Sequence, residues 1–302
     1  KEELGLLCTQ LIPIRQALPS AHQNLYDLIT SRLARQIAAG TDIEQRRRLD
    51  GLRSHIMDIM RAASNPAILC SIPEFAEALG PQGVADILAT PSWKVEETLR
   101  IVSDLIRDGR KVIIWSYFND NTDILANRLK HCNPRIIRGE TPSSHSVIED
   151  EKLDERTREG ILHDFKTRDD CNIIIANPAA CGESISLHHW CHDAIYFDRS
   201  YNAGQYLQSC DRIHRFGYHP KTGRNTCAEE TVTYYILEST GTIDERISTR
   251  LTDKIDRQKA ILNSGDYTQP LTESGSSRRD ATGMSDLDRE DLVDHIRDVG
   301  GF

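Results

Sequence analysis

Short runs of apolar residues alternate along most of the chain with segments in which apolar residues recur every three or four positions. Continuous apolar runs are typical of strands buried on both faces, and the periodic segments are typical of amphipathic helices. The strand candidates are residues 111–117, 134–138, 171–176, 194–198 and 231–237. The helix candidates are residues 92–109, 124–129, 153–166, 202–215 and 242–262. This alternation predicts an α/β fold with a doubly wound parallel sheet and helices on both faces.

Two further helices are predicted before this alternating region. Apolar residues share one helix face from Leu25 to Ile37, and a second stripe runs from Leu49 to Ala63 before Asn65-Pro66. The outer face of the second helix is rich in arginine, which indicates either a solvated face or a contact with a polyanion. The charged positions of 243–258 are interpreted as a solvated helix face.

The pattern divides the chain into three parts. We expect a helical region over 1–91, an α/β domain over 92–263 and an acidic, largely disordered tail over 264–302. The tail has room for a short helix near 286–298, and the polar residues 140–155 read as an inserted loop.

Charge is distributed unevenly over the 302 residues, whose formal net charge is −9. Residues 139–170 hold ten acids and five bases, and residues 264–302 hold nine acids and four bases. The rest of the chain is therefore close to neutral, and a local cationic groove stays compatible with the acidic total. No apolar run approaches the roughly 20 residues that span a bilayer, so no membrane segment is expected.

The first residue and the cysteine pattern indicate the expected processing and cellular setting of the chain. It begins at Lys1 without a secretory signal, so we expect a fragment or a processed product. Its eight cysteines are scattered without a Cys-x-x-Cys pair, which favours a reducing, cytoplasmic setting over a disulfide scaffold. Residues 181–192 crowd two cysteines and three histidines, but their spacing fits no common zinc finger, so no metal site is predicted.

The most informative segment is Gln208-Ser-Cys-Asp-Arg-Ile-His-Arg-Phe-Gly217. On a helix, Arg212 and Arg215 would share one face, and Asp211 and His214 would share an adjoining face. Two guanidinium groups on one face can grip a phosphate chain through their forked donors. This spacing alone is more often found in an ordinary amphipathic helix with surface charges.

The whole string resembles motif VI of superfamily 2 helicases and translocases, in the form typical of Swi/Snf-type ATPases. Other segments resemble further motifs of that family, in the family's order. They are 111–118 (motif IV), 137–141, 177–187 (motif V), 196–202 and 240–246. Residues 52–53 and 60–66 resemble the segment that links the two ATPase lobes of the family. The resemblance covers about residues 10–262.

The resemblance implies a RecA-like lobe, the second of two that bind ATP between them, preceded by the interlobe linker. The sequence contains neither a Gly-rich phosphate loop ending in Gly-Lys-Ser/Thr nor an Asp-Glu-x-His-type metal motif. ATP and Mg²⁺ would therefore be shared with a first lobe of the same protein, and the isolated chain should not hydrolyse ATP. The implied activity is ATP-dependent translocation on double-stranded DNA.

The resemblance also implies roles for individual residues. Arg215 would be the arginine finger and Arg212 its partner on the γ-phosphate. The nucleotide site would be supported by Gln208, Asp211, His214, Gly182 and Glu183. The DNA backbone would be met by Ser116, Arg138, Gly139, Asn177 and Tyr201.

Departures from the family pattern leave alternatives open. Motif V reads Cys-Gly-Glu-Ser over 181–184, Tyr218 replaces a common Gln, and 140–155 is inserted, which suggests a divergent and microbial branch. The inserted loop or the acidic tail could bind a protein partner. The protein would be cytoplasmic, on the nucleoid in a bacterium, or nuclear in a eukaryote. A stand-alone DNA- or protein-binding module and an RNA helicase lobe are the alternative functions.

Overall fold

The computed structural model describes residues 9–38, 53–143, 156–181, 185–215, 231–264 and 284–300. Several predictions of the sequence lie outside these residues. They concern most of the inserted loop, Gly182 and Glu183, Tyr218, and the tail between 265 and 283.

A six-stranded sheet forms the centre of the α/β part. Its strands are β1 (Thr9–Ala17), β2 (Val112–Trp115), β3 (Arg135–Ile137), β4 (Ile173–Ala176), β5 (Asp193–Tyr196) and β6 (Val232–Thr240), in the order β1-β6-β5-β2-β4-β3. The pairs from β6 to β3 are parallel. Every residue of β2, β4 and β5 is buried, which explains why these strands read as continuous apolar runs. The predicted α/β class with a parallel sheet is confirmed.

Helices occupy the connections and the flanking regions. They are α1 (Ser20–Ala38), α2 (Arg53–Ser64), α3 (Pro73–Ala89), α4 (Trp93–Arg107), α5 (Asn119–Arg128), α6 (Arg158–Thr167), α7 (Ala203–Cys210), α8 (Ile243–Ser264) and α9 (Asp286–Gly300). α5 connects β2 to β3 in one direction along the sheet, and α6 connects β3 to β4 in the other. Because such crossovers are right-handed, opposite directions place helices on opposite faces. None of the described helices has the length and apolar character needed to cross a membrane.

The packing groups the described residues into two compact units. The first takes residues from Lys1–Ile14, Lys94–Asp198 and Gly204–Leu237, and the second takes those from Arg15–Trp93, Arg199–Ala203 and Glu238–Phe302. The second unit thus combines α1–α3 with α8 and α9, whereas the sequence divided the chain at 92 and 264. The sequence pattern also did not predict strand β1 or helix α3, which kinks at Gly80 before Pro81.

Helix α8 carries the charged stripe that the sequence analysis interpreted as a solvated face. In the structure α9 packs on α8 and on α1. Asp288 of α9 is fully buried and binds Arg250 (Nε to Oδ1, 2.9 Å) and Lys254 (Nζ to Oδ2, 2.5 Å). The interpretation as a solvated face was therefore wrong for this part of the stripe, because a second helix covers it.

Candidate nucleic-acid interface and nucleotide-site residues

Polar side chains collect where β5, β2, β4 and β3 end. We call this edge the strand-end rim and define it as residues 116–119, 138–141, 177–180 and Asp198. Because neighbouring parallel strands point the same way, their carboxyl ends bring these segments to one edge of the sheet. The rim is the part of the first unit in which the predicted nucleic-acid contacts can be assessed.

Asp198 joins β5 to the segment after β2. Its side chain is 4% exposed. Oδ1 accepts a hydrogen bond from the backbone N–H of Tyr117, and Oδ2 accepts one from Asn121 Nδ2 at 3.0 Å. The hydroxyl of Ser116 lies 3.1 Å from the same Oδ2 and 3.2 Å from the carbonyl oxygen of Phe118. These donors compensate the buried carboxylate for its lost hydration.

Asn177 makes the corresponding link on the other side of β2. Its Nδ2 donates to the carbonyl of Tyr117 at 2.9 Å, and its Oδ1 accepts from the N–H of Ala179 at 3.0 Å. Its own N–H donates to the carbonyl of Ile137, at the end of β3, at 3.2 Å. One half-buried residue, through its side chain and its backbone N–H, therefore connects the ends of β2, β4 and β3.

The segment after β3 is a tight turn. The N–H of Arg138 donates to Thr141 Oγ1 at 2.8 Å, and the N–H of Thr141 donates to the carbonyl of Arg138 at 3.0 Å. The Arg138 guanidinium pairs with Asp123 of α5. Gly139 is exposed, and a Cβ built on it would meet open space, so its backbone is accessible to a ligand.

The structure separates the five predicted DNA contacts. Arg138, Gly139 and Asn177 lie in the rim with accessible surface. Ser116 also lies there, but it is fully buried against Asp198, so its side chain is not available to DNA. Tyr201 lies in the second unit and its side chain is fully buried there. Burial thus takes the side chains of Ser116 and Tyr201 off the surface of the chain, and a role of these two residues at DNA stays a prediction.

Motif VI does not continue as one helix. α7 ends at Cys210, and the N–H groups of Arg212 and Ile213 donate to carbonyls three residues back. The carbonyl of Arg212 accepts from the N–H of Leu187 at 2.9 Å, so this turn is joined to a distant segment of the chain. The expectation that Arg212 and Arg215 share a helix face is wrong for this reason.

The two arginines differ in exposure. Arg212 is 5% exposed, and its Nη1 donates to the carbonyl of Ile185 at 3.3 Å, which ties motif VI to the end of motif V. Arg215 is exposed. Burial, together with the charges of His189 and Arg215, lowers the pKa of His188 to about 4. His188 is thus neutral near pH 7, whereas Arg215 contributes a positive charge beside it.

The other residues predicted to support the nucleotide site differ in their exposure. Gln208 is exposed near the end of α7, Asp211 is half-buried in the turn after it, and His214 is 8% exposed. Within the described ranges, no group of three or more His, Cys, Asp or Glu side chains is placed to hold a metal ion.

A pocket of about 600 Å³ lies at the opposite edge, where β2, β5 and β6 begin. Arg110 and Asp193 both line this pocket, and Arg110 Nη2 pairs with Asp193 Oδ2 at 2.8 Å. It contains none of the residues that the sequence singled out for nucleotide or DNA, so the strand-end rim and motif VI remain the candidate site.

Comparison with known proteins identifies the domain. The family described as helicase conserved C-terminal domain matches residues 93–217. The chromatin-remodeling ATPase INO80 of Drosophila melanogaster is 26% identical over 182 residues, which are 60% of this chain and 10% of that protein. The nuclear protein STH1/NPS1 of Saccharomyces cerevisiae is 23% identical over 296 residues, which are 94% of this chain and 20% of that protein. The chain thus spans only a tenth to a fifth of these relatives.

Solved structures share the fold. The C-terminal part of the Fun30 ATPase domain has a TM-score of 0.54 and 17% identity, over 82% of this chain and 90% of that one. The Sulfolobus solfataricus SWI2/SNF2 ATPase core in complex with double-stranded DNA has a TM-score of 0.57 and 22% identity, over 85% of this chain and 47% of that one. The chain therefore carries a C-terminal RecA-like lobe of the kind found in Swi/Snf-type ATPases. The comparisons give no support to the expected microbial origin.

Proposed function

We propose that this chain is the second motor lobe of an ATP-dependent double-stranded-DNA translocase. In this proposal the strand-end rim contacts the DNA backbone, and Arg215 reaches ATP that is held by a first RecA-like lobe of the same protein. The observation that carries the proposal is the exposed Arg215, which follows a turn anchored by the buried Arg212. An exposed guanidinium at this position can approach a phosphate.

The rim suits a backbone ligand better than a base-reading one. Its accessible groups include the Arg138 guanidinium, the exposed peptide of Gly139 and the Asn177 amide. Such donors bind phosphate and sugar oxygens, which fix position but carry no sequence information. We therefore infer contact without sequence preference and an affinity that falls steeply as salt rises.

The nucleotide chemistry is divided between the lobes. ATP with Mg²⁺ supplies the transferable phosphoryl group, and the phosphate loop and metal ligands would belong to the first lobe. This lobe contributes the positive charge of Arg215, with Arg212 holding the segment rather than touching phosphate. Gln208 and Asp211 would position the motif, while the roles of Gly182 and Glu183 remain predictions.

The test uses the full-length protein and its DNA-stimulated ATPase. Arg215→Ala should lower kcat by about 10³-fold or more, in the range of other arginine fingers, with a small change in ATP binding. Arg107→Ala is the matched control, because Arg107 is an exposed arginine on α4 that pairs with the nearby carboxylates of Asp104 and Asp108. Unchanged turnover in Arg215→Ala would remove Arg215 from this role.

Two further measurements separate the alternatives. The isolated chain should show little ATPase, and substantial turnover would contradict the division between lobes. Stimulation by RNA rather than by duplex DNA would favour an RNA helicase lobe.

We propose a nuclear location if the host is a eukaryote, since the yeast relative is named a nuclear protein.

A further inference from the structure

The backbone of Tyr117 is held from both sides. Its N–H donates to Asp198 at the end of β5, and its carbonyl accepts from Asn177 at the end of β4. Asn177 in turn donates its N–H to Ile137 at the end of β3. A continuous hydrogen-bonded path therefore crosses the carboxyl ends of four neighbouring strands, β5-β2-β4-β3.

Asp198 is the buried end of this path. The carboxylate is 4% exposed and receives the Tyr117 N–H, the Ser116 hydroxyl and the Asn121 amide. Asn121 lies in the first turn of α5, so Asp198 fixes the β2 segment together with the start of the following helix. Three donors from two segments of the chain therefore meet at Asp198.

A rim that binds a regular backbone needs its groups at fixed distances from one another. Loops after strands are ordinarily the mobile part of a fold, and ordering them on binding lowers affinity. In this lobe Asn177 donates its N–H to Ile137, which directly precedes Arg138 and Gly139. The Asn177 side chain is in turn bonded to the Tyr117 backbone, so these rim segments are linked to one another and to Asp198. The segments of the rim are thus already ordered before a ligand binds.

We propose that Asp198 is a positioning residue for nucleic-acid binding: it acts through the Tyr117 backbone and Asn177 to keep the strand-end rim ordered. This inference rests on the proposed function of the rim. Asp198 itself touches no ligand in the proposal, since its carboxylate is buried.

The test is Asp198→Asn in the full-length protein. The amide keeps the size of the side chain but brings an NH₂ donor toward groups that already donate, so one or more of these hydrogen bonds is lost. The KM for DNA in the stimulated ATPase should rise about tenfold, equivalent to about 1.4 kcal/mol. The kcat at saturating DNA and the KM for ATP should stay within about twofold of the parent values, since the chemistry is not touched.

Salt dependence distinguishes positioning from a general loss of folded protein. Losing one phosphate contact should make the slope of log affinity against log salt shallower by about one. A smaller folded fraction would instead lower kcat and leave both the KM for DNA and this slope unchanged, which would overturn the proposal. Asp104→Asn on α4 is the matched control, because that exposed carboxylate pairs with Arg100 and Arg107 away from the rim.

A second variant keeps the test decisive if Asp198→Asn folds poorly. The Asp198→Asn/Asn121→Asp double variant exchanges acceptor and donor across the 3.0 Å contact and should recover part of the DNA affinity. Absence of rescue in a folded double variant would contradict the proposal. If the parent protein shows no DNA stimulation, the proposed function fails; if it does and Asp198→Asn binds DNA normally, only the positioning role fails.

Discussion

The contact between α8 and α9 offers a quantitative test of how the second unit is stabilised. Asp288 is fully buried and accepts from Arg250, from Lys254 and from the N–H (2.7 Å) and hydroxyl (2.8 Å) of Ser285. Burial would raise the pKa of Asp288, but the hydrogen bonds from Lys254 and Ser285 outweigh it and lower the pKa. The carboxylate is therefore held ionised between two cations that are themselves mostly buried, with 11% and 14% side-chain exposure.

The perturbation is Asp288→Asn, which keeps the shape and removes the charge. Arg250 and Lys254 would then keep their charges in a partly desolvated place, which is the costly outcome when one member of a buried ion pair is removed. Removing a buried partner costs about 3–5 kcal/mol, and we expect about 3 kcal/mol because the amide oxygen can still accept one hydrogen bond. This loss corresponds to about a 100-fold increase in the undocking equilibrium of α9.

Hydrogen exchange measured by mass spectrometry reports this equilibrium directly for the amides of α9. They should exchange about 100-fold faster in Asp288→Asn, at 1.4 kcal/mol for each factor of ten. Asp294→Asn is the matched control, because Asp294 lies on the same helix in an exposed pair with Arg297 at 3.8 Å. Such a surface pair contributes about 0.5 kcal/mol or less, so exchange should change by about twofold. Equal effects of the two substitutions would refute the reasoning.

Three further outcomes follow from buried groups. Burial lowers the pKa of His295 to about 4 in the folded state, below the ordinary 6.5, so the unfolded state binds the proton more readily. The free energy of unfolding should then fall by about 2 kcal/mol between pH 7 and pH 5, and denaturant titrations of His295→Gln should show a flatter profile across that window. Tyr26→Phe should cost about 2 kcal/mol by chemical denaturation, because the Tyr26 hydroxyl accepts from the buried N–H of Ile243 at 2.8 Å. Ile114→Ala in the centre of β2 should cost about 4 kcal/mol in the same measurement, and a loss below about 1 kcal/mol would contradict its full burial between β4 and β5.

The sheet was predictable because its central strands are buried on both faces. Four-residue strands such as Ile173–Ala176 then appear as apolar runs between helical periods, and a parallel arrangement follows from that alternation. β1 was missed because most of its residues are exposed, and it includes Pro13, so no continuous apolar run marks it.

The site was only partly predictable for a related reason. Sequence spacing places Arg212 and Arg215 on one face only if the helix continues, and it does not, because Leu187 donates to the Arg212 carbonyl from 25 positions away. A hydrogen bond between segments this far apart in the chain cannot be predicted from the local sequence pattern. Asp198 was likewise not among the predicted site residues, although a polar residue just after a buried strand is a recognisable signal for the functional edge of a parallel sheet.

Part of the acidic tail has an intramolecular role that the charge count alone does not predict. The surplus of carboxylates over 264–302 suggested a surface for a protein partner. In α9, however, Asp288 and Asp291 face Arg250 and Arg246 of α8. Arg246 and Arg250 of α8 then have intramolecular partners in α9, which neutralise part of the charge of both helices. Because a pair buried at 0% and 11% side-chain exposure is poorly screened by salt, raising ionic strength should weaken DNA binding at the rim well before it releases α9.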